Sequence, residues 1–198
     1  MTMLSRNDQK GRSMVEMLGV LAIIGVLSVG GISGYSKAMA KFKLTKAQDQ
    51  ISMILMNVRT AYATSPSYSG LNSGNAVLYN IVPSEMISGT GSATTLYGAF
   101  GPVVLEALGE SGRDASYFKI VLSGLGTDTC RSLLSSDWGS DGLVSINIAP
   151  DKDDVNVSKD CENSVENTTW CSRDLPVSFQ DAVTACSGER HTIGWVYY

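Results

Sequence analysis

The chain holds one histidine, five prolines and a charged fraction of only 17% in 198 residues. With His191 alone, a His-based triad or metal cluster would have to be built around one residue beside the last apolar run. No G-x-x-x-x-G-K-[ST], G-x-S-x-G or G-x-G-x-x-G is present, which removes the phosphate-cradling loops and the nucleophile elbow. No C-x-x-C occurs among the four cysteines, so their zinc reading is weak. An excess of positive charge is also missing: the formal net charge of -4 argues against a generally basic nucleic-acid binder. The acidic run Asp151, Asp153 and Asp154 lacks the Gly and terminal Glu of an EF-hand loop and reads as a solvated turn. Asn156-Val-Ser158 and Asn167-Thr-Thr169 fit glycosylation acceptors, a pattern common by chance in Asn/Ser-rich loops. No enzyme and no cofactor is expected.

The charged fraction is below the roughly 25% usual for a soluble domain, so part of the 43% apolar content serves something other than a core. That material sits near the N-terminus. From Met17 to Ser36 runs MLGVLAIIGVLSVGGISGYS, without one charge. As a helix it covers about 30 Å, the hydrocarbon thickness of a bilayer. A core helix and a cleaved secretory signal are the alternatives. Nothing else in the chain is apolar enough to surround the first, and the run exceeds an ordinary signal core, so the segment is expected to be retained. Charge is split: residues 1–63 hold eight Lys/Arg against three Asp/Glu, and residues 64–198 hold seven against sixteen. The two parts face different surroundings.

Beyond the span, Leu44, Ala47, Ile51, Leu55, Val58 and Tyr62 recur at steps of three and four, with Ile54 flanking. The periodicity predicts one helix from about Ser13 to Ala63, ended by Ser65, Pro66 and Gly70. It is apolar all round in its first half and amphipathic in its second. The rest reads as α+β with an antiparallel sheet. Residues 65–101 are expected to be a connecting loop, with short helical turns at most around Val82–Ile87. Strands are predicted at Tyr117–Leu122, Leu143–Ala149 and Thr192–Tyr198, and helices at Val103–Leu108, Asp128–Ser135 and Val177–Cys186. Cys130, Cys161, Cys171 and Cys186 all lie in this acidic region and suit two disulfides in an oxidising compartment, with three connectivities open. The Lys/Arg flanks of the span argue for the opposite orientation; the cysteines are preferred as the guide.

Glu16 stands at the head of the apolar run, preceded by Lys10-Gly11-Arg12-Ser13-Met14-Val15. This stretch resembles the processing site of type IV prepilins, where a peptidase cuts after Gly and the fifth mature residue is Glu. Counting Arg12 as first makes Glu16 the fifth. Thr127-Asp-Thr-Cys130-Arg-Ser-Leu-Leu134, the run Ala182–Cys186 and Gly194-Trp-Val196 are similar in layout to type IVb pilins such as the toxin-coregulated and thin-pilus pilins. Two features depart from that family: the leader Met1–Gly11 is short, and Arg12 replaces an apolar first residue.

The resemblance implies a leader over 1–11, a long N-terminal helix over 12–63 with its transmembrane half at about 14–36, and a globular head over 64–198. It implies a pilin-like fold: the long helix packed on an antiparallel sheet, with a C-terminal disulfide-bounded region pairing Cys130 with Cys186 and Cys161 with Cys171. Cleavage would fall between Gly11 and Arg12, with methylation of the new amino group, and Glu16 would serve assembly. Gly30, Gly31 and Gly34 are either a soft point in the helix or a close-packing surface. The implied function is a type IV pilus subunit, major or minor, polymerising into an extracellular filament for adhesion, aggregation, conjugation or motility. A pseudopilin of a secretion system and a non-polymerising anchored binding protein are the alternatives. Implied partners are further copies and other pilins, the prepilin peptidase, and an inner-membrane platform with its cytoplasmic ATPase. The chain would rest in the inner membrane, head in the periplasm, before assembly.

Overall fold

The computed structural model describes residues 9–89, 94–109, 115–139, 142–150, 157, 159–161 and 170–198, the side chains of residues 9–13 apart. Helix α1 spans Gln9–Ala61 without a break. The chain divides into two compact units, residues 1–42 and 43–198.

In the second unit a seven-stranded sheet has the order β1-β2-β3-β4-β7-β5-β6, every neighbouring pair antiparallel. Its strands are β1 (Ile87–Ser88), β2 (Thr95–Tyr97), β3 (Pro102–Leu108), β4 (Tyr117–Gly126), β5 (Leu143–Pro150), β6 (Trp170–Ser172) and β7 (Arg190–Tyr197). Three short helices accompany them: α2 (Ser73–Leu78), α3 (Thr127–Leu134) and α4 (Phe179–Ala185). The last strand β7 lies at the centre, between β4 and β5, and the two edge strands are only two and three residues long. Short edges leave little unpaired backbone for stray pairing.

Strand alternation divides the sheet into two faces. Phe118, Ile120 and Leu122 of β4, Ile193, Trp195 and Tyr197 of β7, and Ile146 and Ile148 of β5 share the main core. Against them pack Ala47, Ile51, Ile54 and Val58 of α1, all buried, at helical steps of four, three and four. Ile54 is therefore central to the apolar stripe rather than flanking it, and Leu55 is only half-buried. The opposite face carries a smaller cluster of Val121, Ala149, Val157 and Val196. Val157 sits directly on Gly194: a Cβ there would approach Val157 Cγ2 to 2.6 Å, so only glycine fits. Lys119 and Glu106, register partners on β4 and β3, form an ion pair of 3.0 Å.

The predicted antiparallel sheet and its three long strands are present, and two predicted helices correspond to α3 and α4. Val103–Leu108 is not a helix but most of β3, paired with β4 from Val103↔Leu122 to Leu108↔Tyr117. Leu, Glu and Ala favour helix in isolation, yet Val103 and Leu105 bury on one face while Glu106 is exposed. The stretch 65–101 is more ordered than expected. It contains α2, whose N-cap Asn72 accepts from Asn75 N at 2.8 Å, a 3-10 turn at Ser84–Met86, and β1 and β2.

Candidate assembly site

Every large apolar side chain of α1 from Met14 to Tyr35 is more than half exposed. Burying a Val, Leu, Ile or Met releases about 1.5–3 kcal/mol, so this surface forgoes on the order of 20 kcal/mol while it faces water. It is long and apolar enough to cross a membrane, and none of that span is buried among the described residues. Ser28 Oγ donates to Ile24 O at 2.7 Å, which satisfies the hydroxyl within the helix.

Gly11 and Arg12 lie in the first turns of α1, and Glu16 follows Arg12 by four residues, about one helical turn. The Glu16 side chain is exposed. At Gly30, Gly31 and Gly34 a Cβ would meet nothing within 4 Å, so no contact among the described residues calls for glycine, and the helix is unbroken through all three.

In the second unit, Cys130 in α3 is bonded to Cys186 at the end of α4, and Cys161 to Cys171 in β6. The first bridge is fully buried in the main core and joins α3 to the segment that leads into β7. Among the described residues no group of three or more His, Cys, Asp or Glu is placed to hold a metal. Asp151, Asp153, Asp154, Asn156, Asn167 and most of the leader lie outside the described residues.

Residues not singled out from the sequence fasten the second half of α1. Gln50, buried, accepts from Ala99 N at 3.1 Å and donates to Glu85 Oε1 at 2.8 Å. Lys46 Nζ reaches the same carboxylate at 3.3 Å. These contacts, Gln50 first and Lys46 second, hold the Glu85 carboxyl below its ordinary pKa. Asn57 Nδ2 donates to Ile81 O at 2.7 Å, and Gln48 Nε2 to Ser136 Oγ at 2.8 Å. Arg59 stands 6.0 Å from the centre of the Tyr197 ring. Burial pushes the Tyr197 hydroxyl well up, and Arg59 works in the other direction.

The family model for the PilS N-terminal region matches residues 42–197, most of the chain. The chain belongs to the PilS family. No curated protein matches it by sequence. Among solved structures, the type IVb pilin from Salmonella typhi aligns at 15% identity and a TM-score of 0.51, covering 78% of this chain and 97% of that one. TcpA, a type IV pilin from Vibrio cholerae El Tor biotype, aligns at 16% identity and the same TM-score, covering 79% and 99%. The fold of this family member is thus a type IV pilin fold with the type IVb layout. The resemblance noted at Gly11–Glu16 lies outside the matched residues 42–197.

Proposed function

We propose that the chain is a structural subunit of a type IV pilus. The observation that supports this best is the exposed apolar surface from Met14 to Tyr35, carried by a helix whose second half is sealed onto a pilin-type head. Before assembly, lipid of the inner membrane covers that surface. In a filament, the same surface on neighbouring copies covers it, and the apolar energy left unused in the isolated chain then holds the polymer together.

The processing and register steps follow from the first turns of α1. A prepilin peptidase removes residues 1–11, and the chain from Arg12 to the C-terminus begins with a positive α-amino group. Glu16 is four residues from that charge. An exposed carboxylate among Met14, Val15, Met17 and Leu18 loses its water on entering an apolar bundle and needs an opposite charge to offset the cost. The amino terminus of an adjacent copy supplies it at one axial height only, which sets the register. Gly30, Gly31 and Gly34 give neighbouring helices room for close approach. The assembly platform and its cytoplasmic ATPase supply the work of extraction from the membrane. The head remains on the periplasmic side until then.

Mass spectrometry of the mature chain tests this reading. The expected product starts at Arg12 and has 187 residues, 198 less the eleven of the leader. A chain that still begins at Met1 in cells with active prepilin peptidase would contradict it.

A further inference from the structure

The head carries a cleft that neither the pilin fold nor the assembly surface uses. Strand register creates it. Pro150 pairs with His191, and Ile148 pairs with both Ile193 and Trp170, so Pro150, His191 and Trp170 point to the same face of the sheet. That face also holds α4, whose last turn brings Thr184 and, just beyond, Ser187 and Gly188 to the same rim. The result is a cavity of about 420 Å³ at the end of α4. This lies in the 300–1,000 Å³ range of small-ligand sites.

Its lining is chemically mixed. The half-buried Trp170 indole supplies an apolar ring, the Thr184 hydroxyl, which donates to Gln180 O at 3.1 Å, is left to accept, the Ser187 hydroxyl can donate and accept, and exposed Glu189 and Arg190 stand side by side at the mouth. His191 is 4% exposed, and its Nε2 is buried with no hydrogen-bond partner among the described residues. A buried polar atom without a partner is uncommon and costly. A Cβ on Gly188 would come within 3.3 Å of the His191 Cε1 and 3.7 Å of its Nε2, so the imidazole lies close beside Gly188 at the edge of the cleft. Glu189 and Arg190 oppose each other in charge, so the mouth has no net charge to select a simple anion. A purely apolar ligand would leave the hydroxyls and His191 unmatched. Sugars present a C–H face to an aromatic ring and hydroxyls to donors and acceptors of both kinds.

We infer that this cleft binds a saccharide unit, stacked on Trp170 and hydrogen-bonded by Thr184, Ser187, Glu189, Arg190 and His191. The inference holds for the head whether or not the chain polymerises.

The full-length chain in detergent is titrated with the methyl glycosides of galactose, glucose and N-acetylglucosamine, with N-acetylneuraminic acid, and with inorganic phosphate, followed by saturation-transfer NMR. At least one sugar is expected to bind saturably with a dissociation constant of about 1 mM, the strength ligand efficiency gives a ring of about a dozen heavy atoms. Trp170→Ala should weaken that binding by about tenfold or more. Thr184→Val and Arg190→Ala, both at exposed positions, should each weaken it while leaving near-UV circular dichroism unchanged, and they carry the test if Trp170→Ala fails to fold. The inference is overturned if no sugar saturates, if phosphate binds and no sugar does, or if these variants bind as tightly as the parent chain.

Discussion

Truncating Ile54 to Ala removes a side chain that is 0% exposed and stands at the centre of the α1 stripe between Ile51 and Val58. Truncation of a buried Ile costs about 2–5 kcal/mol, and a site walled by helix and sheet relaxes little, so about 3–4 kcal/mol is expected. That is a large share of the roughly 5–15 kcal/mol that holds a domain folded. Leu55, half-buried at the edge of the stripe, should lose about 1–2 kcal/mol on truncation, and exposed Met56 less than about 0.5. The assay is urea unfolding of the full chain in detergent, read by tryptophan fluorescence. Trp195 is fully buried and meets Trp138 edge-on at 4.9 Å, so its emission reports the core. With a urea slope of about 2 kcal/mol/M, the Ile54→Ala midpoint should fall by about 1.5–2 M and that of Met56→Ala hardly at all. Equal shifts for Ile54→Ala and Met56→Ala, or a larger one for Leu55→Ala than for Ile54→Ala, would refute the orientation given to the helix.

Gly194→Ala should destabilise the head by about 1–3 kcal/mol through overpacking against Val157, and Val157→Ala in the same chain should recover most of the loss; a double-mutant cycle in urea checks the coupling. Replacing Cys130 and Cys186 by Ser opens a loop of 56 residues and should cost about 4 kcal/mol by the loop-entropy model, against about 3 for the ten-residue separation of Cys161 and Cys171, measured as separate midpoints. Glu85 has a lowered folded-state pKa, so its contribution is present above its ordinary value of 4.5 and is lost as the pH falls through the folded value. Stability should therefore decline on acidification below about pH 5 more steeply in the parent chain than in Glu85→Gln, and identical pH profiles would rule the contact out as a source of stability.

Much of the fold was legible because its signals are local and long. Twenty uncharged residues and a stripe running from Ala47 to Val58 declare α1 without help from the rest of the chain, and YFKIVL, LVSINIA and TIGWVYY declare β4, β5 and β7. The misses have equally physical causes. β1, β2 and β6 have two or three residues each, too few to show a period, and α2 is a six-residue helix held by Asn72 at its N-cap. At Val103–Leu108, helix-forming side chains outweighed a two-residue alternation that the pairing with β4 makes decisive. The Gln50, Glu85 and Ala99 contacts join residues 35 and 49 positions apart, and no pattern in one segment announces them. The cleft is likewise non-local. In the sequence a lone His191 suggests only a metal or triad role, because its neighbours Trp170 and Thr184 reach it through strand register and the end of α4.

Polymerisation through α1 is tested most directly by immunogold electron microscopy of sheared surface material, labelled with an antibody to the head. Filaments decorated along their length, or at their tips for a minor subunit, are the predicted result. Filament numbers should fall sharply in Glu16→Gln cells that still insert and fold the chain. Abundant folded chain with no labelled filament in parent cells would contradict the account, and undiminished filaments from Glu16→Gln cells would remove Glu16 from register setting.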